Sequence, residues 1–222
     1  MRQLFLLVLF TLIPSVGLAD EPATSNPTPQ QRIVQLEARV AQLENLIRPL
    51  LIDHEIKTRR VQNKLLAKLR MRQDVENYTL EQRKEIEKLY QAANKNLRDA
   101  DAKANLLKVV ADYPKANRSG CALVYLAQTS QGDQQINYLK QAIENYSDCF
   151  YGNGVQVGAY ARLLLAVRRV NDGNQLEATK LLDELAKQYP RSLDHKGQPL
   201  EYSVTQLRKR VTAMAAEPVK KN

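Results

Sequence analysis

The sequence predicts an all-α protein: an N-terminal coiled-coil helix followed by an array of α-α hairpins. Three observations carry this reading. Apolar residues recur at intervals of three and four from Ile33 to the last predicted helix, and no strand pattern interrupts them. Charged residues make up 26% of the chain and aromatics 6%, a balance that leans helical. With only eight glycines in 222 residues, the turns of an all-β sandwich are scarce. Together with two cysteines and no tryptophan, these counts exclude collagen-like, disulfide-knotted and polytopic membrane chains.

Residues 1–19, MRQLFLLVLFTLIPSVGLA, are expected to be a cleaved secretory signal. Arg2 precedes an apolar run, and Gly17-Leu18-Ala19 supplies the small residues of a cleavage site. The run is shorter than the roughly 20 residues of a membrane span, and no cysteine follows to carry a lipid. Removing the leader takes the net charge from +9 to +8 by the loss of Arg2. A periplasmic or secreted location follows. In an oxidising compartment the pair Cys121 and Cys149 is expected to bridge, constraining the unfolded chain by about 3.5 kcal/mol. No CxxC spacing suggests redox catalysis, and His54 and His195 stand too far apart to suggest a zinc site. No metal and no cofactor is expected.

Residues 20–31 hold three prolines among small polar residues and read as a disordered linker. Segment 32–75 then carries two patterns. Ile33, Leu36, Val40, Leu43, Ile47 and Leu50 form an a/d heptad seam, β-branched at a and leucine at d. Arg32 and Arg39 occupy g positions, while Glu37 and Glu44 occupy e positions five residues on. Each arginine thus faces a glutamate of the neighbour in a parallel homodimer or homotrimer. Pro49 is expected to kink or stop the helix near Arg48. Between 57 and 73 there are seven basic residues and no acidic one. Lys57, Arg60, Lys64, Lys68 and Arg72 share one face, and Val61, Leu65, Leu66 and Leu69 share an adjacent one. Two readings follow for the basic face: peripheral contact with membrane lipid, cell-wall polymer or an acidic partner, or a solvated side of a helix packed on the core or on its mate. Export disfavours nucleic acid.

Segment 76–217 reads as successive helices. Thr79-x-x-Gln82 has capping-box form and opens a helix with Ile86, Leu89, Tyr90, Ala93 and Leu97 on one face. Asp99 or Asp101 caps the next, with Leu106, Leu107, Val110 and Tyr113, ended by Pro114. Further helices are predicted over 118–129, 133–146, 155–170, 175–189 and 202–215, before a basic tail at 218–222.

Three of these helices end alike, at Tyr113-Pro114, Tyr146-Ser147 and Tyr189-Pro190, with the tyrosines 33 and 43 residues apart. Ala178 precedes Pro190 by twelve residues, as Ala102 precedes Pro114, and Gly173 lies in the turn of the last pair. These residues resemble tetratricopeptide helix pairs. Gln135 and Ser147 depart from the pattern in the middle unit, and a longer helix from Val155 together with an insertion before it accounts for the interval of 43. Hairpin packing of this kind would also bring Cys121 and Cys149 together. The order of parts (exported leader, Pro-rich spacer, coiled coil, repeats) is similar to the periplasmic cell-division coordinator family that works with the Tol-Pal machinery. That resemblance implies oligomerisation through the coil and protein or peptide partners, in the cell envelope, bound by the repeats.

No catalytic constellation is present in the sequence. The glycines of segment 150–158 lack the preceding strand of a Rossmann fingerprint and the Gly-Lys-Ser/Thr of a P-loop, and fit a tight turn. Tyr151, Asn153, Gln156 and Tyr160 are the residues expected to meet a partner there. Asp194-His195 lacks a nucleophile and oxyanion donors, and its aspartate is read as a turn residue. The expectation is therefore a non-enzymatic adaptor.

Overall fold

The structure is a computed structural model that describes residues 28–96 and 99–216. The predicted leader, the first part of the linker and the basic tail lie outside the described residues, as does Leu97. The chain divides into two compact units, Met1–Arg48 and Pro49–Asn222. The boundary therefore falls inside the segment read as 32–75, not after it.

Helix α1, Pro29–Asn77, is 49 residues long. It starts three residues earlier than the linker reading allows. Thr28 and Gln31 form a reciprocal cap, Thr28 N donating to Gln31 Oε1 at 2.8 Å and Gln31 N to Thr28 Oγ1 at 3.3 Å. Pro29 then takes the first helical position, where its missing N–H costs nothing. The helix continues through Pro49 instead of stopping at Arg48. A proline removes one donor from the ladder, and the backbone bonds on either side propagate past it.

In the first unit, α1 leaves the whole seam from Ile33 to Ile47 exposed. Leu50, just inside the second unit, is exposed too.

The second unit holds the rest of α1 and α2 (Leu80–Lys95), α3 (Ala100–Asp112), α4 (Asn117–Gln128), α5 (Gly132–Asn145), α6 (Val157–Asn171), α7 (Gln175–Gln188) and α8 (Leu200–Ala216). There is no strand among the described residues; Phe150–Gln156 and Leu193–Pro199 are isolated bridges. Predicted starts hold where a side chain caps. Thr79 and Gln82 make both bonds of the capping box, Asp99 accepts from Asp101 N, and Asn174 accepts from Glu177 N. From α2 to α8 each helix packs on the next, and α2, α4, α6 and α8 also touch in succession. The apolar stripes meet in one core containing Leu106, Val109, Leu123, Leu126, Leu139, Leu182 and Leu185.

The interval of 43 is a structural period. Helices α5 and α7 begin and end 43 residues apart, and so do the starts of α6 and α8. The loops after α5 and α7 make the same bonds at equivalent positions. Tyr151 N donates to Val155 O and Asp194 N to Gln198 O, both at 2.8 Å; Gly154 N donates to Tyr151 O and Gly197 N to Asp194 O, both at 2.9 Å. Each turn needs its glycine, at φ +93° for Gly154 and +74° for Gly197. The insertion inferred before α6 therefore recurs before α8, and the interval of 33 is set by the short Tyr113–Ala116 connection together with α4, which at 12 residues is shorter than the 15-residue α6.

These loops are what α1 packs against. Arg60 Nε donates to Gly197 O at 2.9 Å and Asn63 Nδ2 to Arg191 O at 3.0 Å. Arg70 pairs with Asp148 at 2.8 Å and Asp74 at 3.0 Å, and Asp74 accepts the Asn117 amide at 3.1 Å. Tyr78 Oη accepts from Lys115 N at 2.9 Å. Helix α1 docks here by a polar face, whose buried members are Arg59, Asn63, Ala67 and Asp74.

Candidate functional site

The most distinctive surface of the helical array is a row of five rings. Tyr90 of α2 stacks on Tyr125 of α4 with centroids 5.6 Å apart, and Tyr125 leans on Tyr151 at 5.5 Å. The His195 ring then lies nearly perpendicular to Tyr151, with centroids 4.6 Å apart, and to Tyr160 of α6, at 4.7 Å. The row exists because α2, α4 and α6 adjoin and because the two loops that follow α5 and α7 lay Tyr151 and His195 between them. Arg118 covers its far end, 4.4 Å above the Tyr90 ring, held by Glu87 at 2.8 Å.

Burial divides the row into support and surface. Tyr90 and Tyr151 are buried, and that burial raises both phenols well above their ordinary range. Tyr151 Oη donates inward to Cys121 O at 3.3 Å. Tyr151 is thus not presented to a partner as expected; it carries the rings above it. Gln156 is also turned inward, its Nε2 donating to Ser147 O at 3.0 Å. Asn153 is exposed, with its Nδ2 3.4 Å from His195 Nδ1, and Tyr160 is half-buried. The solvent side of the row is therefore exposed Asn153 and His195 with half-buried Tyr125 and Tyr160. Of these, sequence reasoning missed Tyr125 and gave His195 no role here, since the row joins rings from α2, α4, α6 and two loops far apart in the chain.

His195 is lowered in pKa by burial of its ring, against the charge of Asp194, so it stands neutral near pH 7. Asp194 does not orient it. Its Oδ1 accepts Lys196 N and Gln198 N, both at 2.8 Å, which is the turn role expected of it. The surface can hydrogen-bond through an amide, hydroxyls and a neutral imidazole, and offers ring faces and edges to an apolar side chain.

Cys121 and Cys149 do not form the expected bridge; both are free and buried. A Cβ on Gly120 would lie 2.9 Å from Cys149 Cβ and 3.1 Å from its Sγ, so Cys149 occupies the space over Gly120. Its Sγ accepts from Arg70 Nη2 at 3.5 Å, while Cys121 Sγ donates to Phe150 O at 3.4 Å. The loop after α5 is latched to α4 by Asn117. This fully buried side chain exchanges two 2.8 Å bonds with the Phe150 backbone.

The basic face is divided. Arg60 is spent on Gly197, and Lys57 pairs with Asp53 at 2.7 Å. Lys64, Lys68 and Arg72 are exposed and take part in no ion pair among the described residues. Val61, Leu65, Leu66 and Leu69, expected to pack on the core or on a mate, are exposed. The domain offers α1 loop carbonyls and carboxylates, and those select its polar side.

Comparison with protein-family models, curated proteins and solved structures gave no match.

Proposed function

We propose that the protein is a non-enzymatic, exported adaptor. It self-associates in parallel through the seam 33–50 and presents a tetratricopeptide-like helical array to a protein or peptide partner. The observation that carries this is the seam itself. Ile33, Leu36, Val40, Leu43, Ile47 and Leu50 are all exposed. Arg32 and Arg39 are spaced to meet Glu37 and Glu44 of a neighbour, a charge rule that an amphipathic helix packing within its own chain has no reason to obey. The ring row supports the second half, since half-buried tyrosines on a rigid scaffold offer contact area at little entropic cost. Several arrays in one assembly raise apparent affinity through effective concentration.

The test is a cross-linked pull-down from the native envelope extract with three baits: the unaltered chain, the seam variant Leu36→Asp/Leu43→Asp, and the surface variant Asn153→Ala/Tyr160→Ala. The adaptor reading expects a discrete protein held by the first, weakly by the second and not by the third. Equal recovery by all three baits would sink it.

A further inference from the structure

From Pro49 onward α1 carries its amphipathicity the wrong way round for a helix packed on a domain. Its buried face is Arg59, Asn63, Ala67 and Asp74, while Val61 is 69% and Leu65 56% exposed, with Leu66 and Leu69 beside them. At about 100° per residue Val61, Leu65 and Leu69 lie on the side of the helix away from the buried set, and Leu66 lies between the two. Single exposed leucines are ordinary, but a strip of four large apolar residues on one turned-out face calls for an occupant. Lys64, Lys68 and Arg72 run along one flank of the strip, and no acidic residue lies between 57 and 73.

Charge selects among the occupants. A second copy presenting the same strip would bring its own lysines against these, with no carboxylate between 57 and 73 to answer them. A soluble acidic polymer would neutralise the cations and leave the leucines in water. An anionic bilayer surface answers both: leucines enter the headgroup–acyl boundary to a depth of about 5–10 Å while long basic side chains reach back to phosphates. No helix among the described residues is long and apolar enough to cross a membrane, so the contact is peripheral.

We propose that residues 61–72 of α1 form an interfacial docking strip for anionic phospholipid. Val61, Leu65, Leu66 and Leu69 insert, and Lys64, Lys68 and Arg72 hold the headgroups. The face opposite stays on the loops of the array through Asn63 and Asp74. Docking here is independent of the seam.

The chain has no tryptophan, so Leu65→Trp gives a sole reporter within the strip. The full chain carrying it is titrated with vesicles of phosphatidylcholine containing phosphatidylglycerol. Leu69→Trp serves as a second reporter, and Leu176→Trp, at an 85% exposed position on α7, as the remote control. Docking shifts the emission of both strip reporters to the blue, makes it quenchable by bromine on the acyl chains, and leaves the control unchanged. Each cation removed lowers vesicle affinity about fivefold, so Lys64→Gln/Lys68→Gln/Arg72→Gln lowers it roughly a hundredfold. Circular dichroism checks that these variants keep their helix content. The proposal is overturned if neither strip reporter shifts with anionic vesicles, which also covers binding through any other segment. An equal shift on pure phosphatidylcholine overturns it too, as does one reproduced by soluble polyglutamate. So does a shift that rises with protein concentration in the absence of lipid, because a second copy then covers the strip.

Discussion

Gly154 rests directly on the backbone of α1 at Asn63: a Cβ placed on it would lie 2.9 Å from the Asn63 carbonyl carbon and equally close to Lys64 N. Its φ of +93° adds strain for any other residue. Gly154→Ala is therefore expected to cost at least about 2 kcal/mol. Gly152→Ala, two residues earlier with no atom within 4 Å of the added Cβ, should stay within about 0.5 kcal/mol. Urea unfolding of the two variants decides. Equal effects would mean that the loop does not bear on the helix.

Asp74 is the other anchor of α1. Burial pushes its carboxyl up, opposed by the Asn117 amide and by Arg70, so it is a costly charge kept only by its partners. Asp74→Asn removes the ion pair and should destabilise by about 2–4 kcal/mol. Asp148→Asn removes the other partner of Arg70, whose side chain is 67% exposed, and should cost under about 1 kcal/mol. Chemical denaturation that ranks Asp148 above Asp74 would contradict this geometry.

Self-association through the seam predicts a change of mass on one double substitution. Leu36→Asp/Leu43→Asp puts charges at two d positions and should convert the parallel assembly to monomer in sedimentation equilibrium. Both residues are exposed within the chain, so the thermal transition of the array should not move. A monomeric unaltered chain would remove the coiled coil from the function.

The His195 ring predicts a pH dependence with a definite sign. Its folded-state pKa lies below the ordinary 6.5, so the unfolded chain binds the proton more readily. The stability this neutral ring contributes is present above that value and is lost as pH falls through the folded one. The stability difference between the unaltered chain and His195→Gln should therefore shrink on acidification below 6.5. Paired thermal melts across that window check it, and a difference that grows towards acid contradicts the neutral, ring-packed histidine.

Neither thiol should react while the chain is folded. Burial pushes Cys121 up to about 12, against the Arg118 charge, and raises Cys149 as well, leaving almost no thiolate at neutral pH. Ellman's reagent should label both only at the rate of global unfolding. Prompt labelling of either in native buffer would contradict the burial.

Much of the fold was legible because it is local. Thr79 with Gln82, Asp99 and Asn174 cap where they can, since a cap needs only a side-chain oxygen and the amides two or three residues on. The same logic applied to Thr28-Pro29-Gln30-Gln31 would have moved the start of α1, but the flanking prolines masked it. The tyrosine spacing pointed to a repeat, yet only the matched loop bonds showed that 43 residues are its period. Of the ring row, the sequence pointed to Tyr151 and Tyr160 but not to the place of Tyr125, because ring contacts join residues far apart in the chain.

Composition and spacing by themselves determined that the chain is helical, where most helices begin and end, and which residues could line a seam. Those properties follow from interactions spanning a few residues. Tertiary packing decided which face of each helix is used. Periodicity places Val61 and Leu65 on one side of α1 and Asn63 and Asp74 on the other, but burial depends on what arrives opposite. There the loops after α5 and α7 bring carbonyls and close-approaching glycines, so the polar side went in and the leucines stayed out. The same holds for Cys149, placed over Gly120, and for Tyr151, which became the floor of the ring row.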